Sequence, residues 1–406
     1  LAHTVFVGRP AEVPLSGERA RGGGSLALTV ECETGERRHL VVHPGAGRVE
    51  RVTTPDGRAI TRRRVPLPEL PIGRHRLRLD GSDLTCRLTV APATCHLPEG
   101  GVGRRLYGLA GHLYTLRHGA DQGVGDFGTL ADFASRAGAV GAATIGLNPL
   151  HALFPGDRER ASPYSPSDRR FLDPIYIDIG RLPDALARGV GAEMPRAVLE
   201  AARLRAGGHV DWPAVWEAKS RVLRAAFSAF EALSAERPSD PLVIDFARFV
   251  VRGGEALARF ATFEAIAAVT GATTSSGFPA DLATFDAPGV AGFAVRHGRA
   301  VRHSMVLQWL AELQLAEAAA AARMAGVSLG FYRDLAVGCA PDGAEAWGAG
   351  ARLMHRVSVG APPDPFATEG QVWSLPPLNP IESARLGHAP FAELIRANMA
   401  HAGALR

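Results

Sequence analysis

Two rhythms divide the chain. Up to about residue 97, apolar and polar side chains alternate in short runs. Leu84-Thr85-Cys86-Arg87-Leu88-Thr89-Val90 alternates at period 2, residues 74–79 do the same, and Asp80-Gly81-Ser82-Asp83 between them predicts a hairpin turn. Several such strands broken by Gly and Pro predict a small β-sandwich over residues 1–97, followed by a Pro/Gly-bearing linker at 91–103. Residues 98–406 read differently. A buried strand is predicted over 106–116, a helix around 129–140, and a second apolar strand over 143–147 that ends at Asn148-Pro149. Strand, helix and strand within about forty residues make a βαβ unit, hence a parallel sheet. A helical insertion is predicted over about 180–325. Trp216, Leu223, Phe227, Phe230 and Leu233 share one helix face there, and Val306, Leu310 and Leu313 share another. A third strand over 327–332 leads into Arg333-Asp334, and a fourth is predicted to begin near Gly403.

Composition narrows the class. A chain of 406 residues exceeds what one core organises, so two or three domains are expected. Hydrophobic content of 46%, charged content of 21% and a net charge of +4 suit a water-soluble globular protein. Arg58 with Arg62-Arg63-Arg64 is the densest basic cluster; it lacks interleaved aromatics and reads as a solvated strand, so no nucleic-acid partner is expected. No uncharged apolar run reaches about 18 residues, so no membrane partner is expected either. Cys32, Cys86, Cys95 and Cys339 are scattered, without C-x-x-C or zinc spacing, which suits a reducing, cytoplasmic setting and no metal. No charged and then apolar leader stands at the N-terminus.

Candidate chemistry gathers past the strand ends. Asn148 to His151, Arg333-Asp334 and Gly360-Ala361-Pro362-Pro363-Asp364 all follow predicted strands, and in a β/α barrel the carboxyl face carries the site. Trp373 adds an aromatic plane suited to the apolar face of a sugar ring. Gly123-Val124-Gly125-Asp126-Phe127-Gly128 matches a nucleotide fingerprint in letters only. No strand directly precedes it, Asn148 stands where an acidic residue is needed, and Asp126 would oppose a pyrophosphate. A tight βα loop with Asp126 at a helix start fits better. Lys219 is the only lysine and sits in a helical stretch, which excludes a Schiff-base lysine at a strand end. Glycosyl transfer uses paired carboxylates, yet neither Asp334 nor Asp364 has an evident partner in its own loop.

Several blocks resemble the 4-α-glucanotransferase (amylomaltase, disproportionating enzyme) family, glycoside hydrolase family 77. They are Gly123-Val124-Gly125-Asp126-Phe127, Ile145-Gly146-Leu147-Asn148-Pro149-Leu150-His151-Ala152, Ser162-Pro163-Tyr164-Ser165-Pro166 and Gln308-Trp309-Leu310. Tyr332-Arg333-Asp334-Leu335-Ala336-Val337-Gly338, Gly360-Ala361-Pro362-Pro363-Asp364 and Gly370-Gln371-Val372-Trp373 follow in family order. The resemblance implies an α/β chain, the first part of a (β/α)8 barrel with a large helical insertion, behind a small N-terminal β-sandwich. It implies transfer of an α-1,4-glucan segment to the 4-hydroxyl of glucose or a maltooligosaccharide by retaining double displacement, without a cofactor.

By the same resemblance, Ser162, Tyr164, Asn148, His151, Asp334, Asp364 and Trp373 contact sugars, and Arg406 supports a nucleophilic Asp two positions further on. Ser374 stands where the family usually has Gly. The nucleophile and the acid/base would then fall beyond Arg406. The chain alone is therefore expected to be inactive and to seek the missing C-terminal half of the barrel, with a non-catalytic α-glucan-binding or scaffolding protein as the alternative.

Overall fold

A computed structural model describes residues 2–16, 24–54, 57–98, 103 and 105–406. It divides into two units, residues 1–102 with 379–392, and residues 103–378 with 393–406.

Among the described residues the first unit is a β-sandwich of eight strands: β1 (Ala2–Phe6), β2 (Ala11–Ser16), β3 (Leu26–Glu31), β4 (Arg37–Val42), β5 (Arg48–Thr53), β6 (Ala59–Leu67), β7 (Gly73–Leu79) and β8 (Thr85–Ala91). One sheet runs β1-β8-β7-β3-β4 and the other β2-β6-β5. The side chains that alternate inward from both, Val5, Val13, Leu28, Val30, Val65, Leu77, Leu88 and Val90 among them, fill one core. The predicted hairpin forms, with β7 and β8 antiparallel and Leu79 N–H donating to Leu84 O at 3.0 Å. The basic cluster is absorbed by β6 and its neighbours. Arg64 Nε donates to Glu50 at 3.0 Å, and Arg63 reaches the Pro44 and Gly47 carbonyls.

In the second unit four parallel strands lie in sequence order, β9 (Gly108–Gly111), β10 (Thr144–Leu147), β13 (Gly330–Arg333) and β16 (Ala404–Leu405). That succession, with helices between strands, is the first part of a (β/α)8 barrel. The short antiparallel pairs β11 (His151–Ala152) with β12 (Asp168–Leu172), and β14 (Val359–Ala361) with β15 (Gln371–Leu375), stand outside this sheet. Helix α1 (Phe127–Ala139) joins β9 to β10, and Asp126 caps it by accepting the Thr129 N–H at 3.0 Å.

The insertion between β12 and β13 holds α2 (Glu193–Arg205), α3 (Trp212–Glu236), α4 (Pro241–Thr270) and α5 (Gly298–Met324), and α6 (Ala389–Met399) precedes β16. Phe230, Phe246 and Trp309 pack together from three of these helices, Phe246 edge-on to the other two, at 5.0–5.7 Å between ring centres. No helix among the described residues is long and apolar enough to cross a membrane.

Two expectations need correction. The apolar run at 106–116 is not one buried strand. Only Gly108–Gly111 is extended, Leu106, Tyr107 and Leu109 are exposed, and Leu113–Thr115 turns as a 3-10 segment with Leu113 buried. Among the described residues β9 pairs only with β10, and it lies so close that a Cβ on Gly108 would meet Thr144 at 2.4 Å. On α5, Leu313 is only half-buried while Gln314 and Leu315 turn inward. Gln314 is held there by the Asp178 N–H and carbonyl, a demand that apolar periodicity cannot register.

Candidate functional site

Loops from the carboxyl ends of β9, β10 and β13 are tied to one another by side chains from the β10 loop. Asn148 is buried; its Oδ1 accepts the Leu113 N–H at 2.7 Å and its Nδ2 donates to the Pro149 carbonyl at 2.8 Å. His151 is buried as well, and its Nε2 accepts the Ala336 N–H at 3.1 Å. Burial, then the Arg333 and Arg169 charges, hold its imidazole down at about 3, so it is a neutral acceptor at ordinary pH. Both side chains serve the loop backbone rather than facing solvent.

Beside them, three sequence-chosen residues meet. Asp334 follows β13 and is almost buried. The Tyr164 hydroxyl donates to its Oδ2 at 3.2 Å, and Arg406 Nη2 donates to the same oxygen at 2.7 Å. Backbone pairing brings Arg406 there, through its N–H to the Arg333 carbonyl at 3.0 Å and Leu335 N–H to its own carbonyl at 2.9 Å. Among the described residues no donor reaches Asp334 Oδ1, which leaves an acceptor open. Tyr164 is 45% exposed, and burial followed by the Asp334 carboxylate pushes its phenol up, so it remains a donor. The hydrogen bond to Asp334 likewise raises Arg406. The arrangement offers a carboxylate, a guanidinium and an aromatic edge to a hydroxyl-rich ligand.

The other candidates lie elsewhere. Ser162 is exposed in the Tyr164 turn, and its carbonyl accepts the Ser165 N–H at 3.3 Å. Asp364 and Trp373 sit on the β14–β15 hairpin. The Asp364 carboxylate accepts the Phe366 and Ala367 N–H groups at 2.8 and 2.7 Å, while Trp373 Nε1 donates to Gln371 at 2.9 Å. No hydrogen bond joins either to Asp334 among the described residues. Ser374, next to Trp373, has φ +58, a backbone conformation that favours Gly.

Beneath this surface runs a set of ion pairs that sequence reasoning missed. Arg158 holds Asp173 at 2.7 Å, and Arg170 holds Asp168 at 2.5 Å. Arg160 grips Asp342 with two bonds of 3.0 Å. Arg169 clasps Glu345 through Nη2 at 2.5 Å and Nε at 3.0 Å, and donates from Nη1 to the Val337 carbonyl at 3.1 Å. Arg160 and Arg169 thereby fasten the Tyr164 loop to the segment after Asp334. A signal was present: residues 157–173 carry eight charged side chains. Their partners at 342 and 345 lie too far along the chain for spacing to reveal. Lys219 is buried and donates to the Ile175 and Ile177 carbonyls at 2.7 and 2.8 Å, a structural post. Among the described residues no three His, Cys, Asp or Glu side chains gather as a metal site.

The profile of the family described as 4-alpha-glucanotransferase matches residues 111–406, and that of the MalQ N-terminal beta sandwich domain matches residues 2–92. The chain belongs to the 4-alpha-glucanotransferase family. A 4-alpha-glucanotransferase of Mycobacterium tuberculosis is 36% identical over 404 residues, which is 95% of this chain and 53% of that protein. One from Haemophilus influenzae is 32% identical over 353 residues, covering 84% and 50%. The chain thus spans about half the length of the curated relatives it matches. Among solved structures, amylomaltase from Corynebacterium glutamicum superposes on all of this chain and 54% of its own, with a TM-score of 0.76 at 29% identity. An amylomaltase from Streptococcus agalactiae, solved in complex with acarbose, shares the fold over 75% of this chain and 59% of its own, at a TM-score of 0.62 and 20% identity.

Proposed function

We propose that this chain carries the glucan-binding front of a 4-α-glucanotransferase site, one that moves an α-1,4-glucan segment to the 4-hydroxyl of an acceptor sugar by two displacements. The observation that supports this reading is the Tyr164–Asp334–Arg406 cluster at the strand ends, with Asp334 Oδ1 open. Asp334 is a fixed acceptor for a sugar hydroxyl, and Tyr164 a half-exposed ring beside it. Asn148 and His151 hold the loops in place, and Asp364, Trp373 and Ser162 are read as further sugar contacts.

Retaining transfer needs a nucleophile and an acid/base about 5–5.5 Å apart. The side chains bonded to Asp334 include no second carboxylate. On this reading the 406 residues by themselves bind maltooligosaccharide without transferring from maltotriose. The test has two arms. Maltoheptaose or acarbose is titrated calorimetrically against the chain and against Asp334→Ala, with binding expected at least ten-fold weaker in the variant. Maltotriose is incubated with the chain, and no glucose or longer oligomers are expected. Equal binding by the variant would overturn the assignment of Asp334, and transfer by the chain would overturn the claim of inactivity. Reading the source gene past the Arg406 codon separates an enzyme from a mere glucan binder. The enzyme reading requires an aliphatic residue and then Asp.

A further inference from the structure

Side chains alternate along β13: Phe331 and Arg333 are buried on one face, while Tyr332 is exposed on the other. Among the described residues three arginines are fully buried, and two of them, Arg158 and Arg169, clasp a carboxylate. Arg333, 3% exposed, has none. Its Nη1 touches the Ala397 and Ala400 carbonyls near the end of α6 at 3.3 and 3.4 Å, and its Nε meets no acceptor among the described residues. Burial alone presses the guanidinium down to about 10, with no acidic neighbour to offset it. A buried cation without a counter-charge is costly enough to call for an explanation.

Arg333 lines a cavity of about 530 Å³, walled by α4, α5, β12 and the end of α6. Six arginines and three glutamates face it, and two of the glutamates are already engaged, Glu255 by Arg259 and Glu312 by Arg252. Arg352 is half-buried on the same wall, makes no ion pair among the described residues, and is pressed down by burial and then by Arg259 and Arg170, which the Glu393 and Glu255 carboxylates offset in part. Along another wall, Gly254 (φ +50, ψ −142) breaks α4, and Glu255, Ala256 and Leu257 of the restarted helix line the space. Phe171, Phe249 and Leu315 supply apolar wall.

Guanidinium forks match the oxygens of carboxylate and phosphate groups, and the volume suits a metabolite-sized body. We propose that this cavity binds a small organic oxyanion, its charged head held by Arg333 and Arg352 and its body resting on Phe171 and Phe249. The cavity is walled by helices beside β13, Asp334 does not line it, and the proposal does not depend on the glucan reading.

The test titrates inorganic phosphate and succinate into the protein, following calorimetric heat and thermal midpoint against potassium chloride of matched ionic strength. Saturable binding of at least one of the two is expected, and the stronger one names the head group. Arg352→Gln should weaken it at least ten-fold and Arg333→Met should abolish it, while exposed Arg188→Gln leaves it unchanged. Without added anion, Arg333→Met should be as stable as the parent or more so, because an uncompensated buried charge is gone. Responses no larger than with chloride, or undiminished binding in Arg352→Gln, overturn the proposal even if Arg333→Met fails to fold.

Discussion

Replacing Glu345 with Gln tests whether the ion pairs under the Tyr164 loop hold the site in shape. Glu345 and Arg169 are both buried, and the carboxylate takes three donors from Arg169: Nη2 at 2.5 Å, Nε at 3.0 Å and the backbone N–H at 3.1 Å. Burial by itself would raise the Glu345 carboxyl, but the Arg169 charge and hydrogen bonds, with Arg170 behind them, hold it at about 2, against an ordinary 4.5. That difference corresponds to about 3 kcal/mol of preferential stabilisation of the ionised form. Breaking one side of a buried pair costs about 3–5 kcal/mol, because the surviving charge is stranded. Here Asp168 lies close enough to compensate Arg169 in part, so the lower end, about 3 kcal/mol, is expected. The pH dependence has a definite sign. Between 2 and 4.5 the native state holds fewer protons than the unfolded chain, so the contribution is complete above pH 4.5 and lost as pH falls toward 2. Urea unfolding followed by tryptophan fluorescence reads the change, with Trp347, buried two residues from the pair, among the five reporters. The variant should lose about 3 kcal/mol at pH 7, with the gap to the parent narrowing below pH 4.5. The double variant Arg169→Met with Glu345→Leu should recover most of the loss. A loss under about 1 kcal/mol at pH 7, or a gap that does not change with pH, would refute the reasoning.

Three further outcomes follow from the same geometry. Ser374→Gly should stabilise the β14–β15 hairpin by about 0.5–1 kcal/mol in thermal unfolding, because φ +58 strains any residue with a Cβ; a destabilised variant would contradict this. His151 is about 3 when folded, so the native state resists its protonation and stability falls as pH drops from 6.5 toward 3; His151→Gln, which keeps an acceptor for Ala336 N–H, should flatten the acid limb between pH 6.5 and 4.5 in a denaturation series. Lys219 should resist amine-reactive labelling in the native protein and react fully in urea, as peptide mass mapping would show, since its Nζ is buried against two carbonyls.

The sequence carried more of the fold than of the site. Period-2 alternation at 74–79 and 84–90 determines the β7–β8 hairpin, because each strand has one wet face and register fixes which side chains lie inward. The helical stripe through Leu223, Phe227, Phe230 and Leu233 specifies a buried face for the same reason. The motif order also identified the family, while Ser374 after Trp373 stands at φ +58, a left-handed position that favours Gly. Alternation could not show that β9 would be exposed, since exposure depends on what lies across a strand rather than along it.

What the sequence determined by itself is therefore local: strand and helix periods, the cap at Asp126, and the presence of Tyr164, Asp334 and Arg406 in recognisable blocks. Tertiary structure alone decided which charges meet. Tyr164 reaches Asp334 across 170 residues and Arg169 reaches Glu345 across 176. Coulomb interactions and hydrogen bonds act over a few ångströms in space, whatever the separation along the chain. The same holds for Arg333: in sequence it is one more arginine, and only packing leaves it buried without a carboxylate beside a cavity.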